Sequence, residues 1–167
     1  MIRQTGFGSA YRDPHMASAP DEFLACVKLR VDRAGVFAHS HIADGVLVCQ
    51  PGDPAMPAAY RLEQRHGRPF VSLVTPDRWL SESIEADLMH TGDDLEELID
   101  EELAELGHPG PRLTVTHFRS DDMLYTFRSP IPVGRDDPPD ACDTATRCLL
   151  AYEAAFRQLG DMQSPKE

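Results

Sequence analysis

His39-Ser40-His41 sets two imidazoles two residues apart. On an extended strand alternate side chains share a face, so His39 and His41 form a candidate pair of ligands for a divalent ion. A metal site needs a third ligand, and Cys49 on the neighbouring expected strand is the one suggested. The plainer reading is a mixed or solvent-facing strand face shared with Phe37. Two nucleophilic arrangements also merit weighing. Ser81 and Ser83 lie on an expected helix near His90, but no G-x-S-x-G elbow surrounds them. Cys26 or Cys49 with His39 would mimic a Cys–His pair. Gly6-Phe7-Gly8 lacks the strand and helix that a phosphate loop requires. No catalytic residue and no cofactor are expected from these patterns.

The sharpest chemistry is electrostatic. Residues 76–110 hold twelve Asp or Glu and a single basic residue, Arg78, so they carry −11 of the formal −12. Solvated carboxylates on a surface helix make poor general acids or bases. They suit a recognition surface for a basic partner, because clustered charge raises encounter rates. A solvated face opposite a leucine stripe is the structural alternative. What exceeds that alternative is the missing cation: no Lys or Arg lies between Asp93 and Glu105, so Glu97, Glu101 and Glu105 repel at i,i+4 spacing. Asp94, Glu97, Asp100, Glu101 and Glu105 are therefore the expected partner-binding acids. Trp79, the only tryptophan, opens the same segment. It reads either as a core or helix-stapling residue or as an anchor at a partner interface.

Composition sets the bounds. The 167 residues suit one domain, with 41% hydrophobic content. Only two lysines are present, Lys28 and Lys166, and the pI is near 4.9, which argues against nucleic acid and anionic membranes as partners. No apolar run spans a bilayer and the N-terminus has no secretory shape, so a cytoplasmic protein is expected. Its four cysteines, Cys26, Cys49, Cys142 and Cys148, are then expected as buried small hydrophobes.

These residues need elements to position them. Residues 1–20 read as a mobile arm and 161–167 as a frayed tail, flanking one domain over 21–160. Val27, Leu29 and Val31 alternate with polar residues, which predicts a strand, with Val36–Ile42 returning as its partner. Ala43-Asp44-Gly45 predicts a turn into Val46–Cys49. Tyr60–Glu63 and Phe70–Val74 predict a hairpin around His66-Gly67. Thr75-Pro76-Asp77 predicts a helix start with Thr75 as N-cap, and Leu80, Ile84 and Leu88 mark its buried stripe. Asp93 with Glu96 predicts a capping box for a second helix with stripe Leu95, Leu98, Ile99, Leu103 and Leu106. Leu113–Phe118 and Met123–Arg128 predict a hairpin about Ser120-Asp121-Asp122. A last helix is expected over 140–159, with Cys142, Ala145, Cys148, Leu149, Tyr152, Ala155, Phe156 and Leu159 on one face. The expected fold class is α+β: an antiparallel sheet, meander plus later hairpin, packed on one face by two to three helices.

The stretch RLTVTHFRSDDMLYTFRSPIPVG followed by ACDTATRCLLAYEAAFRQL resembles the type III secretion chaperone-like fold, with its YbjN-type relatives, over about residues 93–160. There a two-strand hairpin, a proline-bearing exit and a closing helix recur in this order. The family opens with a helix, which residues 1–22 do not predict, and the helix at 76–90 is an addition. The resemblance implies a small, acidic, cytosolic protein, a dimer, that holds or regulates a protein partner without catalysis. The function expected is a protein-binding module, chaperone-like or adaptor-like. A small metal-binding domain or metal-dependent enzyme centred on His39 and His41, and a structural subunit of a larger assembly, are the alternatives.

Overall fold

A computed structural model describes residues 19–108, 110–132 and 138–163. The Gly6-Phe7-Gly8 motif, nearly all of the expected arm, and the tail beyond 163 lie outside these residues. The order of elements is α1 (Ala19–Ala34), β1 (His39–Ala43), β2 (Val46–Gln50), β3 (Ala59–Arg65), β4 (Arg68–Thr75), α2 (Arg78–Thr91), α3 (Leu95–Glu105), β5 (Thr116–Arg119), β6 (Tyr125–Pro130) and α4 (Pro138–Arg157). The strands form one antiparallel sheet in the order β1-β2-β3-β4-β6-β5. Four strands run as a meander, α2 and α3 intervene, and the β5–β6 hairpin returns to lie beside β4. The fold is α+β, with the sheet packed against the helices.

The register sorts the side chains. Cys49, Tyr60, Leu73 and Phe127 occupy one cross-strand row. Leu47, Leu62 and Val71 occupy the next row on the same face. All are buried, and they share a core with Leu24, Val27 and Val31 of α1 and with Ala145, Leu149, Tyr152 and Phe156 of α4. Tight turns set the hairpins. Asp44-Gly45 and His66-Gly67 adopt left-handed conformations (φ 53° and 74°, then 54° and 74°), the geometry that matches a two-residue hairpin loop to strand twist.

Residues 23–31 are helical, not extended. Leu24, Val27 and Val31 fall on one helical face and are buried, whereas Leu29, which the alternation placed with them, is 53% exposed. A short apolar pattern fits either period, and length decides: 16 residues with Asp21 and Glu22 in the first turn and Arg33 in the last make a helix. The first element among the described residues is thus a helix, and Val36–Ile42 has no strand there to pair with. The strand in that region is β1, paired with β2 through the expected Asp44-Gly45 turn.

Two caps also shift. Thr75 is the last residue of β4, paired with Tyr125. Its hydroxyl donates to the Pro57 carbonyl at 2.6 Å, so Asp77 caps α2 instead, accepting from Leu80 N at 3.0 Å. Asp94, not Asp93, caps α3, accepting from Glu96 N at 2.9 Å. The Glu96 carboxylate does not fold back as a capping box; it accepts from Val115 N at 2.9 Å. Gly107 ends α3 in a Schellman arrangement, with Gly107 N on Ala104 O and His108 N on Leu103 O.

Cys26 and Cys142 are not separate buried thiols. They form a disulfide that ties α1 to α4 across 116 residues of sequence. Cys49 and Cys148 are free and buried. Nor does the chain fray at 161: Met162 is buried, its carbonyl accepts from Ala55 N, and Gln163 bridges to Pro54. No helix among the described residues is long and apolar enough to cross a membrane.

Candidate functional site

The acidic segment divides once its hydrogen bonds are followed. Asp77 and Asp94 cap helices. Glu82 pairs with Arg78 at 2.8 Å and Glu85 with His117 at 2.6 Å. Asp87 accepts from Gly160 N at 3.0 Å, Glu96 from Val115 N and Glu102 from Gln158 Nε2 at 3.1 Å. These seven acids all have partners within the chain. Asp93, Glu97, Asp100, Glu101 and Glu105 make no side-chain hydrogen bond or ion pair among the described residues. All but Asp100, which is half-buried, are exposed. Glu97, Glu101 and Glu105 follow one another at i,i+4, so they stand in one row on the outside of α3.

Burial of the stripe sets that orientation. Ile99 and Leu103 are buried, with Leu95 and Leu98 packed on the core, so α3 lies against α4 and turns its carboxylates out. Leu106, at 37% exposure, has left the stripe as the helix ends. Of the six expected partner-binding residues, Glu97, Asp100, Glu101 and Glu105 keep free carboxylates. Asp94 is exposed but occupied as a cap.

Trp79 does not enter the core. It is 74% exposed in the first turn of α2, and Met89 is 84% exposed near its end. Trp79, Glu82, Ala86 and Met89 recur at steps of three, four and three, which places them on one outer face of α2. The buried positions of that helix, Leu80, Ser81 and Ile84, form its inner face instead.

His39 and His41 share a face, as their spacing requires, with ring centroids 5.5 Å apart. Both are exposed. The third ligand fails. Cys49 is the register partner of Ser40, so it shares the inner face with Ser40 and points away from both imidazoles. Burial pushes the Cys49 thiol up to about 12, which also removes it as a nucleophile. Cys26 is spent in the disulfide. No group of three or more His, Cys, Asp or Glu among the described residues is placed to hold a metal ion.

One constellation escaped the sequence. Ser81 Oγ lies 3.1 Å from His117 Nε2, and His117 Nδ1 lies 2.6 Å from Glu85 Oε1. His90 and Ser83, the expected members, do not join it; Ser83 donates to Leu80 O at 2.9 Å and accepts from Asp161 N. With its proton on Nδ1, His117 donates to Glu85 and accepts from Ser81, the relay order of a hydrolytic triad. Access argues against catalysis. Ser81 is 3% exposed, and its own N–H is taken up by Asp77 O at 3.3 Å, so it is not a free oxyanion donor. The His117 ring stacks on Phe127 at 3.9 Å. Together these contacts clamp α2 to the β5 edge. Ser81 and Glu85 at i,i+4 were visible as a helical pair, but nothing in the sequence places a residue 36 positions on from Ser81 against them.

Comparison of the chain with protein-family models, with curated proteins and with solved structures found no match.

Proposed function

We propose that this chain is a non-catalytic protein-binding module, chaperone-like or adaptor-like, that captures a basic segment of a protein partner on the outer faces of α2 and α3. One observation carries the reading: five carboxylates at α3 serve no contact of the fold among the described residues, while the other seven acids of the segment do. Like charges at i,i+4 cost a helix a few tenths of a kcal/mol per pair, a cost that a purely structural helix avoids with interleaved lysine. Exposed Trp79 and Met89 supply apolar anchors, so the partner segment is basic and amphipathic.

Trp79 is the natural reporter. A helical peptide with lysines on one face and leucines on the other, titrated into the protein, should blue-shift Trp79 fluorescence, and the same peptide with glutamates for lysines should not. Exposed pairs are worth about 0.2–1 kcal/mol each, so Glu97→Lys/Glu101→Lys should weaken the lysine peptide by roughly tenfold, and moderate salt should weaken wild type similarly. Undiminished binding by the double variant sinks the proposal. The same pair of proteins, immobilised in native extract, then identifies what the acidic face retains.

A further inference from the structure

The face of the sheet away from the core carries a feature of opposite charge. Register puts Arg61 of β3 opposite Ser72 of β4, and Ser72 opposite Arg128 of β6. Ser72 is only 1% exposed, because the two arginines wall it on either side. The result is a recess of about 40 Å³, with Arg65, Glu63 and Asp122 also in its lining.

The groups of this recess are unequally satisfied. Its carboxylates are engaged: Glu63 pairs with Arg65 at 3.3 Å, and Asp122 accepts the Ser120 hydroxyl. Its donors are not. Ser72 Oγ and Arg61 Nε are buried and have no hydrogen-bond partner among the described residues. Arg128 has no ion pair there either. Its guanidinium is held between two rings, 5.0 Å from the Phe70 centroid and 4.7 Å from that of Phe118, which fixes the group without using its N–H donors. Burial, and then the like charge of Arg65, lower the Arg128 pKa from its ordinary value. An unsatisfied buried donor costs about 1–3 kcal/mol, so a hydroxyl and an arginine Nε left this way call for an acceptor.

We infer that the recess binds a carboxylate group, received by Arg61 and Arg128 with Ser72 Oγ as a third donor. A carboxylate accepts up to about four hydrogen bonds and is matched bidentately by guanidinium. Charge selects it over phosphate. Three arginines against Glu63 and Asp122 leave the lining at +1, which a monoanion neutralises and a dianion overshoots in a chain already at −12. Size agrees: one water centre needs about 10–15 Å³, so the recess admits a headgroup and leaves the rest of the ligand outside. The carboxylate can belong to a small organic acid or to an acidic peptide.

The arginine Nε–Hε cross peaks of Arg61 and Arg128 in a nitrogen-15 NMR spectrum report on the site directly. Acetate should shift both saturably, and chloride at equal ionic strength should not. Ser72→Ala and Arg61→Gln should each weaken acetate by about tenfold, the loss of one charge-assisted bond. Ser72→Ala should melt no lower than wild type without acetate, since it removes an unpaired hydroxyl; it remains informative if Arg61→Gln folds poorly. An end-blocked glutamate-rich peptide binding more tightly than acetate assigns the carboxylate to a peptide, and equal binding assigns it to small acids. Shifts reproduced by chloride, tighter binding of inorganic phosphate than of acetate, or full affinity in Ser72→Ala would overturn the inference.

Discussion

A carboxylate in this protein is read by what it touches. Glu153 on α4 is the instructive case, since only 7% of it is exposed. Burial raises its pKa from the ordinary value, Arg157 at 3.5 Å opposes the rise, and Glu102 from α3 adds to it. A glutamate whose folded pKa is raised favours the folded state while protonated. That stability is complete below the unfolded pKa of about 4.3 and is lost as pH climbs through the folded value. Glu153→Gln removes the penalty of ionisation, at the loss of a half-exposed ion pair worth at most about 1 kcal/mol. The variant should melt higher than wild type at pH 7, with the difference closing towards pH 4. Thermal melts at a series of pH values check this, and a variant less stable at every pH would show that the Arg157 pair outweighs burial. The exposed acids of α3 behave differently in kind: they face water and each other, and nothing buried depends on them.

Elements were legible wherever one period had room to declare itself. The strands β2, β3 and β4, the stripes of α2 and α3, and the buried face of α4 all carry repeats long enough to fix their type. The first helix was misread because three alternating residues fit both periods, and because its packing partner α4 lies more than a hundred residues away. Separation along the chain likewise hid the disulfide, the Ser81–His117 contact and the Arg61–Ser72–Arg128 row, each of which is created by sheet register or helix packing and not by local spacing. Where the sequence sufficed, as for the acidic row of α3, the geometry is local to one helix. The disulfide gives an element-scale test. It joins α1 to α4, elements that also pack directly, so reduction should leave the fold intact but less stable. Closing a long loop is worth about 2–4 kcal/mol. Dithiothreitol, or Cys26→Ser/Cys142→Ser, should lower the urea midpoint accordingly. Cys49 and Cys148 are both held at about 12 by burial, so they should stay unreactive to thiol reagents until the protein unfolds. An unchanged midpoint would mean that α1 is held by its apolar face alone.

At the scale of the whole molecule the charge is divided in space. The helical layer presents a row of unpaired carboxylates on α3, and the far side of the sheet presents arginines around Ser72. Residues 76–110 carry −11 of the net −12, and the unpaired acids among them oppose folding through self-repulsion. Salt screens exposed like charges over about 10 Å at 0.1 M. The melting temperature of wild type should therefore rise as salt is raised from about 10 mM to about 200 mM. The same increase should weaken capture of a basic partner, so stability and binding move in opposite directions along one variable. Glu97→Lys/Glu101→Lys leaves one like-charge contact, between positions 97 and 101, but turns the contacts with Asp93 and Glu105 attractive, so it should melt higher than wild type at low salt with a flatter salt dependence. A structural helix selected for stability has no reason to keep the weaker pattern. If instead the double variant melts lower, those glutamates hold the fold through contacts of their own, and the acidic row loses its standing as a surface kept for a partner.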